Sequence, residues 1–216
     1  MKGKHLSSVL ILTAALLVAA YVVYDHRSDT QGNDPLDVYL ENEGIDVADE
    51  GEVPDYEEVD ETGVRPGMLL KDISLPVWDE EEEMSISDFR GDYVVLNIWA
   101  TWCPPCREEM PELIQFQEDY GDAGVQVVGI NNTTQEPNEE TVGRFIDEFN
   151  ISFPTLMARN NEVTLDYQVI AMPLTYILDP DGRIIIRHTG YLDYGVLEEF
   201  LDEAKERYEE NGEASD

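Results

Sequence analysis

The chain has 216 residues, with 48 Asp and Glu against 13 Lys and Arg and a net charge of −35. That balance excludes a nucleic-acid partner, because a phosphate backbone must be met by clustered bases. Here the bases are scattered and the acids run together, as in Asp79-Glu80-Glu81-Glu82-Glu83, so anionic lipid headgroups are disfavoured as well. Hydrophobic residues make up 42%, enough for a packed core. The acidity reads as a solvated, self-repelling surface. With only four Lys, at 2, 4, 71 and 205, it also suits an outward-facing domain in salty or alkaline surroundings, where screening relieves the repulsion.

Residues 6–24, LSSVLILTAALLVAAYVVY, carry no charge and as a helix would reach about 28 Å, close to the hydrocarbon thickness of a bilayer. They are expected to form a single membrane-spanning helix. Lys2 and Lys4 ahead of it keep the N-terminus cytoplasmic and send the rest outward by the positive-inside rule. Val18-Ala19-Ala20 also resembles a signal-peptidase site, so 1–24 is an anchor or an uncleaved signal, the apolar Tyr21-Val22-Val23-Tyr24 favouring the anchor. Residues 25–63 hold fifteen acids and one base, Arg27, which predicts a self-extending acidic linker. Within it, Asp34-Pro35 with Gly44 downstream fits one short, marginal helix.

From residue 64 the pattern alternates between strands and helices and predicts an α/β domain over 64–210. Short strands are expected at 73–77 and 84–86 around the acidic turn, and a buried strand at 93–99, YVVLNIW. A helix over 105–120 and a second buried strand at 125–131, VQVVGIN, follow. The helix over 139–149 places Val142, Phe145, Ile146 and Phe149 on one face. A short strand at 153–157, a helical turn at 163–167, and strands at 174–178 and 183–188 joined by the turn Asp179-Pro180-Asp181-Gly182 lead to a last helix over 194–208. Residues 211–216 read as a disordered tail. Together these imply a central mixed sheet with helices on both faces.

The two cysteines, Cys103 and Cys106, form one local pair and no disulfide scaffold. Zinc would need two more ligands, and the histidines are only His5, His26 and His188, so no metal site is expected. Trp102-Cys103-Pro104-Pro105-Cys106 lies between an apolar strand and a helix start, where the positive end of the helix dipole favours a thiolate on Cys103. Cys106 falls one turn on. Cys103 is therefore expected to attack and Cys106 to resolve. A structural disulfide closing so small a loop would stabilise little.

At these residues the chain resembles the TlpA/ResA-like membrane-anchored thiol-disulfide oxidoreductases of the thioredoxin superfamily. The resemblance spans about 64–208 and is carried by LNIWATWCPPCREEMPEL (96–113), VVGIN (127–131), FIDEFNISFPTL (145–156) and MPLTYILDPDGRI (172–184). It implies a thioredoxin-like fold with an N-terminal hairpin extension and a central insert. It also implies a redox-active disulfide between Cys103 and Cys106, no cofactor, and a substrate surface from Trp102, Met172 and a cis-Pro173, X-Pro bonds being the ones that go cis readily. Thioredoxins keep a buried Asp where this chain has Asn97, which cannot move a proton. The family often uses a Glu three residues after the second Cys, here Glu109, and i, i+3 side chains are helix neighbours. Leu174 stands where Thr is common, GMLLKDI (67–73) replaces the usual Ala-Pro-Asp-Phe, and Pro111 is expected to kink the first helix by removing one backbone bond.

The family likeness further implies a reductase of disulfides in exported proteins, such as apocytochrome c or spore-envelope proteins. Its electrons would come from a membrane donor of the CcdA/DsbD type. A thiol peroxidase of the same fold would want Thr at position 100, where Ala stands. A metal or copper chaperone would want a His near the pair, for which His188 is the lone candidate.

Overall fold

In a computed structural model of the chain, residues 59–214 are described, with side chains through Glu210. The expected membrane helix and most of the acidic linker lie outside the described residues. Among the described residues no helix is long and apolar enough to cross a membrane. Strand β1, Val59–Gly63, already belongs to the folded domain and reaches five residues into the stretch read as linker. It pairs in parallel with β2, Met68–Leu70. A parallel pair joined by so short a connection needs outside support, and Arg183 supplies it. Its guanidinium donates to the carbonyls of Val59 at 2.8 Å and Gly67 at 2.9 Å and to Asp60 at 3.2 Å.

Strands β3, Ser74–Pro76, and β4, Glu83–Ser85, make the antiparallel hairpin around the acidic turn. β3 is shorter than the expected 73–77, and β4 lies one residue ahead of the expected 84–86, ending where Asp88 accepts the Ser85 N–H at 2.7 Å and Ile86–Phe89 turns into a 3-10 segment. The main sheet has the order β7-β6-β5-β8-β9. Its centre, β5, Tyr93–Trp99, pairs in parallel with β6, Val125–Asn131, over all seven residues and antiparallel with β8, Leu174–Leu178. β9, Ile184–Thr189, and β7, Thr155–Met157, close the two edges. The β8–β9 turn is fixed by Asp179, whose carboxylate accepts the N–H groups of Asp181 and Arg183 at 3.0 and 2.8 Å. Gly182 supplies the positive φ of 74° that the turn requires.

Successive strand side chains point to opposite faces. Val95, Trp99, Val127 and Ile177 therefore pack on one side under α1, Pro104–Tyr120, α2, Glu139–Phe149, and α4, Tyr194–Ala214. Leu96, Ile98, Val128, Ile130 and Tyr176 pack on the other side against Leu75, Phe89 and Tyr167, the last following the short helix α3, Glu162–Asp166. A fully buried Leu, Ile or Val is worth about 1.5–3 kcal/mol, so both layers contribute substantially. Helix α4 continues to Ala214, four residues into the segment read as a disordered tail. Helix α1 runs unbroken through Pro111. The alternation also decides where the polar residue of β5 goes: Asn97 shares a face with Val95 and Trp99 and points towards α1.

Candidate active site

β5 ends at Trp99, and the chain turns through Ala100 and Thr101 straight into the head of α1. The Cys103 N–H donates to the Ala100 carbonyl at 3.2 Å, and Cys103 is the N-cap of the helix. Pro104 and Pro105 occupy the first two helical positions, where an N–H would have no helical partner and a fixed φ is already helical. The first N–H available at the helix head is that of Cys106, which donates to Cys103 Sγ at 3.3 Å. The two cysteines form a disulfide across a Cα–Cα distance of 5.3 Å.

The cysteines differ in what they face. Cys103 lines a groove of about 270 Å³ together with Trp102, Pro104, Pro105, Asn132, Gln135 and residues 169–172. Cys106 is not among its walls and is fully buried. Cys103 is itself only 3% exposed, so in the disulfide form it is not the open thiol that its place ahead of the helix suggests. Trp102, 51% exposed, and Ile170, 86% exposed, stand beside it. None of the groove's walls carries a charge, although 28% of the chain is Asp, Glu, Lys or Arg. The Met172–Pro173 bond is cis. Met172 lines the groove and Pro173 is buried behind it, its carbonyl accepting the Gly190 N–H at 2.9 Å.

Glu109 lies on the buried face of α1 with Cys106, Met110 and Leu113 and has no exposed surface. Its Oε1 accepts from Asn97 Nδ2 at 2.8 Å and its Oε2 from the Leu192 N–H at 3.2 Å. The same Asn97 nitrogen donates to Thr175 Oγ1 at 3.0 Å. Burial pushes the Glu109 carboxyl up from the ordinary 4.5 to about 8, the two hydrogen bonds opposing the shift without cancelling it. The sequence singles out Glu109 but not Thr175, Leu192, Asn132 or Gln135. The last two lie just beyond the end of β6, and its parallel pairing beside β5 is the signal that could have found them, since sites in parallel sheets gather at the carboxyl ends of neighbouring strands. His188 is on β9, its Nε2 buried and without a hydrogen-bond partner. Among the described residues no three His, Cys, Asp or Glu side chains gather as a metal site.

A carboxyl whose pKa is raised on folding favours the fold in its protonated state. Stability is therefore full below about 4.5, falls as pH rises towards about 8, and levels off above it. At about 1.4 kcal/mol per unit the loss is on the order of 5 kcal/mol. The margin in unfolding free energy of Glu109→Gln over the unsubstituted chain, measured by urea titration, should move in favour of the variant as pH rises from 4.5 to 8, whatever its value at pH 4.5. A margin independent of pH would contradict this account of the buried acid.

Comparison with known proteins bears on the same residues. Residues 66–187 match the model of the AhpC/TSA family. The chain is 39% identical over 142 residues to the thioredoxin-like protein YneN of Bacillus subtilis, covering 66% of this chain and 82% of that protein. It is 36% identical over 138 residues to the thiol-disulfide oxidoreductase ResA of Oceanobacillus iheyensis, covering 64% and 69%. The crystal structure of StoA from Bacillus subtilis superposes with a TM-score of 0.55 at 26% identity, over 61% of this chain and 96% of that one. With a cysteine pair at the head of α1 and a thioredoxin-like sheet beneath it, the chain belongs to the AhpC/TSA family and is a thiol-disulfide oxidoreductase of the ResA and StoA type.

Proposed function

We propose that this oxidoreductase works as a reductase of disulfides in exported proteins, tethered to the outer face of the cell membrane by residues 6–24. One observation carries the reading: Cys103 borders the groove and Cys106 does not, while Glu109 sits one helical turn behind Cys106. In the reduced protein the Cys103 thiolate attacks one sulfur of a substrate disulfide and expels the other as a thiolate, leaving a mixed disulfide. Cys106 passes its proton to the ionised Glu109 carboxylate and attacks Cys103 Sγ. The substrate leaves with both sulfurs reduced, and the protein returns to the disulfide form, two electrons having moved to the substrate. A free thiol titrates near 8.5 and Glu109 near 8, so the proton moves between groups of matched affinity.

The groove offers Trp102 and Met172 as uncharged walls to an extended peptide, with cis-Pro173 behind them. The apolar segment at 6–24 and the lysines ahead of it support an extracytoplasmic domain on a single membrane helix. In that position, exported proteins such as apocytochrome c before haem attachment, or spore-envelope proteins, are the substrates within reach. A membrane donor of the CcdA/DsbD type would return the two electrons. The peroxidase alternative is disfavoured by Ala100 at the place where Thr is wanted.

The direction of electron flow follows from the helix head. Pro104 and Pro105 bring no N–H towards Cys103, which leaves the helix head with the Cys106 N–H, 3.3 Å from Cys103 Sγ, and the helix dipole to stabilise its thiolate. A less stabilised thiolate makes the dithiol the better donor. Equilibration of the intact protein with glutathione should give a potential on the reducing side of about −180 mV, the protein disulfide isomerase value. A potential near that of DsbA would make the protein an oxidant. In cells, Cys106→Ser should accumulate mixed disulfides with exported proteins through Cys103, and Cys103→Ser should accumulate none. Trapping through Cys106 instead would reverse the assignment. Glu109→Gln should slow the release of the mixed disulfide and remove its rise in rate towards pH 8, and an unaltered pH profile would leave Glu109 outside the reaction.

A further inference from the structure

The segment that follows β6 is tied to the approach to Cys103 at every step. Asn132 N–H donates to the Trp99 carbonyl at 2.9 Å. Glu136, just after the 3-10 turn Thr133–Gln135, takes three more bonds. Its Oε1 accepts from the Thr101 N–H at 2.7 Å and from Asn131 Nδ2 at 2.9 Å, and its Oε2 accepts from the Thr101 hydroxyl at 2.5 Å. Beside it the Gln135 carbonyl accepts from the Trp102 indole Nε1–H at 3.0 Å. All of the donors to the Glu136 carboxylate are neutral groups, and two of them belong to the residue that precedes Trp102.

We infer that Glu136 is a positioning residue for peptide binding, clamping Thr101 against the β6 loop so that Trp102 is held as a fixed wall of the groove. Trp102 is half-exposed, so its ring would be free to turn without a tether. Its single polar bond runs to the residue beside Glu136. Asn131 is fully buried, Thr101 is 8% exposed, and a carboxylate is what satisfies three converging donors at once. A surface acid with no such duty has little reason to collect them. The sulfurs keep their own geometry, because the N-cap and the two prolines set it independently of Glu136. The clamp therefore acts on recognition rather than on thiol exchange.

This inference rests on the groove being the docking site of the proposed reductase. The test uses the reduced full-length protein and an oxidised peptide with uncharged residues beside its cysteines. Glu136→Ala should raise KM for the peptide about fivefold with kcat within about twofold. It should also speed solvent exchange of the Trp102 indole N–H, followed by NMR, by at least about tenfold. Glu136→Gln should restore both readouts, since its amide oxygen can accept the Thr101 and Asn131 donors and its NH2 group can donate to the Thr101 hydroxyl. If Glu136→Ala does not fold, Thr101→Val, which removes the hydroxyl bond alone, should raise KM in the same direction by a smaller factor. A KM equal to the unsubstituted value in these variants, a loss in kcat with KM unchanged, or a Gln variant as impaired as the Ala variant would overturn the inference. Failure of the unsubstituted protein to reduce the peptide would instead count against the reductase reading.

Discussion

β5 is hydrogen-bonded along both edges, to β6 from Tyr93 to Trp99 and to β8 from Val94 to Ile98. Neither edge can slide without breaking a ladder, so the point at which the strand ends and the Cys-bearing turn begins is set by the sheet. A slip of one residue would send every side chain to the opposite face. Asn97 would leave α1 for the hairpin layer and Leu96 would come to lie beneath Glu109. The disulfide, the buried acid and the groove all inherit their positions from that double pairing. The two prolines then convert a fixed strand end into a fixed helix start, without a flexible residue between the two cysteines.

How much of this could be read from the sequence depended on the kind of signal. The strands at 125–131 and 174–178 and the helix at 139–149 have the bounds that their apolar runs and one-sided periodicity predict, because buried elements are selected for that pattern. β1 escaped, since Val-Asp-Glu-Thr-Gly is acidic and mostly exposed and owes its pairing to Arg183, more than a hundred positions away. The cysteine pair was legible from its local context. Glu109 came from a resemblance, whereas its carboxyl's environment depends on Asn97, Thr175 and Leu192, which only the folded chain brings to it. The polar floor of the site is a tertiary property with no period of its own.

Charge is distributed in a way that separates encounter from docking. The chain carries a net charge of −35, yet none of the groove's walls is charged. At distances beyond about 10 Å in 0.1 M salt the surface field is largely screened; closer in, it repels acidic partners before any contact forms. Once a segment reaches the groove, recognition passes to shape, apolar contact and backbone hydrogen bonding. Substrate choice by the proposed reductase is then a matter of what flanks a disulfide and of how the rest of the substrate is charged.

The short helical stretch from Cys103 to Glu109 has one further consequence. Each helical residue advances about 100° around the axis, and the N-cap sulfur, the buried sulfur and the carboxyl occupy three set angles within about one and two-thirds turns. Substitution at Arg107 or Glu108, neither of them buried, leaves those angles alone. Insertion or deletion of a single residue between Cys106 and Glu109 would rotate the carboxyl out of its contact with Asn97 and place a neighbouring residue there. Between Cys106 and Glu109 the helix therefore tolerates a different side chain at positions 107 and 108 but not a different number of residues.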